Sequence, residues 1–264
     1  FCCIPRRAAD VFGRNGADAV CDSRYRRAYC LRDYHAPMAE VTELISLIGS
    51  KQLLVAMLAP SFPIMYRYPH IVGKLKRSGF MAVVEVSVGA LRTNSALVSY
   101  FENNAGARVI TSPCPSFVRM VRKKHPELMK YVVMEVDSPM AATARVVRDT
   151  YPGAIPVFIG PCHAKKLEAR EDQADLGIIV MTYLELESLF SELAISDKPT
   201  DSEAVFDISE GRTRIYPIDG GLTETSDIRR ILREDEIRIV SGWKPSEAAL
   251  LDFLGTLRAP APQP

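Results

Sequence analysis

The residues best equipped for redox or metal chemistry are two cysteines in matching surroundings. Val109-Ile110-Thr111-Ser112-Pro113-Cys114-Pro115 and Val157-Phe158-Ile159-Gly160-Pro161-Cys162-His163-Ala164-Lys165-Lys166 each begin as an apolar, β-branched run and stop at Gly or Pro. Each then delivers a cysteine where strand gives way to loop. Such strand ends line the ligand crevice of open α/β sheets. Two thiolates at two strand ends, the second followed by paired lysines, suit a soft metal or an iron–sulfur cofactor carrying negative charge. Residue types alone leave another reading standing, that of ordinary buried cysteines packing after ordinary strands. His163 reads as a hydrogen-bonded spacer rather than a ligand, and the other three histidines show no metal-ligand spacing.

Positioning these residues requires a particular order of elements. Val41, Leu44, Ile45 and Ile48 recur at helical spacing over 39–48, and Gly49 ends the pattern. Strands are expected at 52–58, 81–86, 108–110, 155–159 and 177–181, with helices at 70–77, 89–102, 116–124 and 182–193. Another helix spans 139–151, with Ser138 as N-cap and Pro139 at its first position. The first turn of the 116–124 helix lies just after Cys114, where unpaired amides can stabilise a thiolate or an anionic sulfide. Strands alternating with helices imply βαβ units and a parallel sheet. With 155–159 and 177–181 the pattern restarts as a second sheet, followed by short strands at 213–216 and 236–240, a tight turn at Gly220-Gly221 and a helix at 245–257. The expected class is therefore α/β, with two lobes of mostly parallel β-sheet flanked by helices, about 50–152 and 153–258, facing each other across a cleft.

Composition bounds the function class. The 264 residues are 47% hydrophobic, enough for a sizeable core, and a net charge of +1 gives no reason to expect nucleic acid or an anionic membrane as partner. No apolar run approaches a membrane span, and the first residues lack a signal-peptide core. Without an export signal, six irregularly spaced cysteines argue against a disulfide framework. The chain is read as a fragment, or a processed form, of a cytoplasmic protein, with residues 259–264 a disordered tail.

Thr111-Ser112-Pro113-Cys114-Pro115, followed about fifty residues later by Pro161-Cys162-His163-Ala164-Lys165-Lys166, resembles the first two signature motifs of the iron-only hydrogenase large subunit. Leu58-Ala59-Pro60-Ser61-Phe62, Gly79-Phe80, Gly89-Ala90, His125-Pro126-Glu127-Leu128, Asp137-Ser138-Pro139 and Gly220-Gly221 fall in family order, so the resemblance covers roughly 50–245. It implies a hydrogenase-like catalytic domain over 39–258, with Cys114 and Cys162 as ligands of a 4Fe-4S cluster. It also implies that Lys165 donates to a ligand of a two-iron subcluster, that Ser138 belongs to the proton path, and that Gly220 and Gly221 bring bare backbone close to the metal. The partner implied is a ferredoxin-like electron carrier or a fused ferredoxin module in an anaerobic hydrogen metabolism.

The chain departs from the family at three places. Cys2, Cys3, Cys21 and Cys30 fall where relatives carry ferredoxin-like modules, yet the C-x2-C-x2-C-x3-C-P run is absent, so 1–38 reads as a degraded or truncated remnant. No C-x3-C follows Cys162, leaving two of the four cluster ligands unsupplied. Pro113 occupies the position of the family's relay cysteine, and the helix over 89–100 carries no acid, so proton delivery is impaired. The readings that follow are an incomplete hydrogenase-like domain for hydrogen-linked electron transfer, a redox or hydrogen sensory module without fast turnover, or a metal-free structural remnant. Lys166 is expected to face solvent or to pair with Glu168.

Overall fold

A computed structural model describes residues 39–111 and 113–258. The expectations placed on 1–38 and 259–264 lie outside the described residues. Four short strands, β1 (Leu54–Leu58), β2 (Ala82–Glu85), β3 (Ile155–Gly160) and β4 (Ile179–Thr182), form one parallel sheet in the order β2-β1-β3-β4. The register runs Val55 against Ala82, Val55 against Pro156 and Val157 against Ile179. Each strand is a nearly unbroken apolar run because both faces of the sheet are covered.

The alternation of side chains along β1 separates two cores. Leu54, Ala56 and Leu58 pack on α1 (Ala39–Gly49), α2 (His70–Arg77) and α7 (Tyr183–Glu192), through Val41, Leu44, Ile71, Leu75, Leu186 and Leu189. Val55 and Met57 face the other way, onto Met140, Ala141, Ala144 and Val147 of α5 (Pro139–Thr150). Behind α5 runs α3 (Ser87–Asn103), and Gly89 is what lets the two helices approach, since a Cβ there would lie 2.1 Å from the Pro139 carbonyl oxygen. A third cluster joins α4 (Pro115–Lys124) to α9 (Trp243–Arg258) through Val118, Val121, Leu128 and Leu250.

The α/β class and the parallel pairing are as the sequence implies, while the partition of strands is different. Two strands from each expected lobe enter the same sheet, and no second sheet is present among the described residues. Residues 108–110 make an isolated parallel bridge between Ile110 and Val132 instead of a sheet strand. The free edge of β2 is already taken by the loop at 207–208, where Glu85 N–H donates to the Ile208 carbonyl and Asp207 N–H to that of Val83, both at 2.9 Å. Residues 213–216 turn back on themselves, Tyr216 N–H donating to the Thr213 carbonyl at 3.0 Å, and 236–240 follow a single 3₁₀ turn at Glu234–Glu236 without pairing. Thr213 is β-branched, but its hydroxyl donates to the Ser87 carbonyl at 2.5 Å, which fixes a turn rather than a ladder.

Strand order places the site. The chain leaves β1 for β2 on one side and returns to β3 on the other, so the carboxyl ends of β1 and β3 flank a topological switch point. Cys162 lies two residues beyond β3, at that end.

Candidate metal centre

Each cysteine sits where backbone geometry is fixed by its neighbours. Cys114 is the N-cap of α4 in extended conformation, with Pro115 at the first helical position, and its carbonyl accepts from the Phe117 and Val118 amides at 3.1 Å. The Cys162 carbonyl accepts from the Lys165 amide at 3.2 Å, closing the turn that begins α6 (Ala164–Leu167). Both thiols are half-buried. Burial pushes the Cys162 thiol above its ordinary value, while the Lys165 ammonium and the Ala164 amide pull it back, and the Cys114 thiol adds a further upward push. The two sulfurs thus lie within electrostatic reach of each other and of Lys165.

Ser138 caps α5, accepting from the Ala141 amide at 3.4 Å, and its hydroxyl donates to Glu168 Oε1. Lys165 Nζ donates to Glu168 Oε2 at 2.6 Å, to Ser138 Oγ at 3.2 Å and to the Pro113 carbonyl at 3.4 Å. Cys162, Lys165, Ser138 and the residue preceding Cys114 are therefore joined in one cluster. Glu168 opens a single π turn (Glu168–Asp172) that continues α6, an arrangement often found at functional sites.

Gly220 and Gly221 form the expected tight turn. Gly220 takes φ +78°, a left-handed conformation that favours glycine, and a Cβ on Gly221 would fall 2.2 Å from the Ile215 carbonyl oxygen. The bareness of Gly221 is spent on the chain's own backbone, and the next residue, Leu222, shares a small apolar cavity with Thr93, Leu97, Thr111 and Pro113.

Lys166 corrects its expectation. It is drawn inward to Glu185 Oε1 at 2.6 Å and Glu40 Oε2 at 3.0 Å, away from solvent and from Glu168. Glu185 also closes the capping box of α7 with Thr182. Glu185 and Glu40 escaped the sequence reading, and Glu168, expected as a partner of Lys166, pairs instead with Lys165 three positions before it.

As a metal site the cluster is half of a set. Two thiols are the right donors for iron–sulfur chemistry, whereas a 4Fe-4S cluster takes four ligands. Among the described residues no group of three or more His, Cys, Asp or Glu could hold a metal ion. No helix among them is long and apolar enough to cross a membrane.

The fold and site define a parallel α/β domain with a cysteine pair and a lysine gathered at the switch point. The chain belongs to the family described as iron only hydrogenase large subunit, C-terminal domain, whose model matches residues 52–244. It is 30% identical over 113 residues, 42% of the chain and 24% of the relative, to the cytosolic Fe-S cluster assembly factor NAR1 of Kluyveromyces lactis. It is 27% identical over 172 residues, 58% of the chain and 30% of the relative, to iron hydrogenase 1 of Clostridium pasteurianum. The apo [FeFe]-hydrogenase HydA1 of Chlamydomonas reinhardtii, variant C377H, superposes with a TM-score of 0.49 at 20% identity, covering 65% of this chain and 51% of that one. The matched stretches span about a quarter to a third of the curated relatives.

Proposed function

We propose that this chain is an iron–sulfur domain in which Cys114 and Cys162 supply two of the four thiolates of a 4Fe-4S cluster, serving iron–sulfur protein assembly or electron transfer without fast hydrogen turnover. The observation that carries the reading is the cysteine pair at the switch point, with Lys165, three residues after Cys162, reaching the carbonyl that precedes Cys114. A bound cluster would supply one-electron storage. Around it, Cys162 would lose the proton that burial holds on it, with the Lys165–Glu168 pair standing beside it. Pro113 contributes a carbonyl to Lys165 and has neither an ionisable side chain nor an N–H, so position 113 itself can serve as no acid–base relay. The names of the NAR1 relatives favour the assembly role and a cytosolic location.

A second reading, hydrogen-linked electron transfer on a complete cofactor with its two-iron subcluster and a ferredoxin-like partner, is favoured by the longer match to the Clostridium enzyme. Full-length protein loaded anaerobically decides between them. Cys114→Ala and Cys162→Ala should each abolish cluster retention at a folding cost of about 1 kcal/mol. Full iron content in either variant would overturn the assignment. Hydrogen evolution from a reduced viologen should be slow in the parent; a fast parent rate, unchanged in Pro113→Cys, would establish the second reading.

A further inference from the structure

The hydrogen bonds around Lys165 form a closed set. An ammonium has three donors, and Lys165 directs one each to Glu168, Ser138 and the Pro113 carbonyl. Ser138 is equally committed: its single O–H goes to Glu168, and its oxygen accepts from Lys165 and from the Ala141 amide. Both Glu168 oxygens are engaged, and the carboxylate is buried at 6% exposure, with the Lys165 side chain at 12%. A buried carboxylate and ammonium 2.6 Å apart cancel most of each other's field, and a partner removed from such a pair leaves an uncompensated charge.

The geometry has two consequences. Lys165 lies three residues after Cys162 and reaches the carbonyl immediately before Cys114, so it ties the two cysteine-bearing loops together. It also has no donor left for a ligand on the cofactor unless one of these bonds breaks.

We propose that Glu168 is a positioning residue that locks Lys165 into a strut between the Cys114 and Cys162 loops and compensates its charge, so that a cluster held there is harder to reduce than beside an unpaired lysine. The redox half of this rests on the iron–sulfur reading above; the strut does not. Ser138, as the N-cap of α5, and the π turn carrying Glu168 anchor the strut at two helix ends.

Two measurements on the full-length protein test it. In the iron-free protein, the rate at which iodoacetamide alkylates Cys162 at one fixed pH is read by peptide mass spectrometry. Glu168→Gln should raise it by about tenfold, because the uncompensated lysine favours the thiolate. The double variant Lys165→Met/Glu168→Gln should return towards the parent rate. A parent-like rate in Glu168→Gln overturns the proposal, and so does an equal rise in the double variant, which would mean the loop had merely opened. In the loaded protein at matched iron content, Glu168→Gln should raise the reduction potential by the equivalent of a tenfold change in equilibrium constant, about 59 mV for one electron. An unchanged potential overturns the charge compensation. If no variant loads iron while alkylation responds as expected, the iron–sulfur reading fails and the strut stands.

Discussion

Glu85 closes β2 with no exposure at all, and a carboxylate in that setting is costly unless its charge is answered. Arg214 answers it from the turn at 213–216, donating Nε to both carboxylate oxygens at 2.8 and 3.1 Å. Arg214 is half exposed, so the pair contributes less than a fully enclosed one, yet removing the cation strands a buried charge. Arg214→Met should therefore destabilise by about 3 kcal/mol in urea unfolding, and Glu85→Gln/Arg214→Met should recover much of that loss. Equal losses in both variants would show that packing of the arginine stem, not charge, matters here. Residues of this kind explain what the sequence could and could not say. Cys114, Cys162, Lys165 and Ser138 are legible because each follows a strand or opens a helix within a few positions. Glu168 carries one local signal, its spacing of three from Lys165, whereas its bond to Ser138, the Glu185–Lys166 pair and the Glu85–Arg214 pair join residues 19 to 129 positions apart, a separation that no local pattern encodes.

At the scale of elements, two glycines fix how helices meet. A Cβ on Gly89 would lie 2.1 Å from the Pro139 carbonyl oxygen and 2.2 Å from Thr143 Oγ1, at the crossing of α3 and α5. The obstruction is partly backbone and cannot rotate away, so Gly89→Ala should cost about 1–3 kcal/mol and shift the start of α5, where Ser138 lies. Gly255 in α9 has open space around it, and Gly255→Ala should stabilise by about 0.5–1 kcal/mol, since alanine restricts the unfolded chain. A neutral Gly89→Ala in the same urea series would mean that the helices slide apart freely. The turn at Pro199–Glu203 docks on α2 in a similar way: a Cβ on Gly73 would sit 2.5 Å from the Asp201 Cα, and Arg77 grips the Asp201 carboxylate at 2.7 and 2.8 Å. That grip holds the Asp201 carboxyl below its ordinary 3.8. A carboxyl depressed in the folded state stabilises above its unfolded value and loses that contribution as pH falls through the folded one. Asp201→Asn should thus be less stable than the parent at neutral pH, with the gap closing in acid below about pH 4. A gap that persists unchanged into acid would assign the loss to geometry. The strands expected at 213–216 and 236–240 misread these same regions, because β-branched residues there serve side-chain hydrogen bonds and loop packing rather than a ladder.

Across the whole molecule, the two cysteines are held by different cores. Cys162 leaves β3, whose side chains belong to the two clusters that cover the sheet. Cys114 caps α4, which belongs to the separate cluster of Ile110, Val118, Val121, Leu128, Val132 and Leu250. Two ion pairs connect that cluster to the π turn, Arg119 to Glu171 at 2.5 Å and Arg122 to Asp172 at 2.8 Å, both partly exposed and so worth little each. α9 supplies the apolar lid, with Leu250 buried at its centre, Lys124 over the Trp243 ring, and Phe253 edge-on to Tyr131. The site is then only as rigid as the docking of this satellite, a dependence invisible in sequence because it joins residues more than a hundred positions apart. Leu250→Ala leaves a cavity in the small cluster and should cost about 2–5 kcal/mol of its local stability. Hydrogen exchange should quicken across 110–132 while 54–58 and 155–160 keep their protection, because the two large cores are untouched. Iron retention in loaded full-length protein should fall alongside, through the Cys114 side alone. Uniform loss of protection across the sheet and the satellite would show one cooperative unit, and the division of the site between two independently stable cores would have to be abandoned.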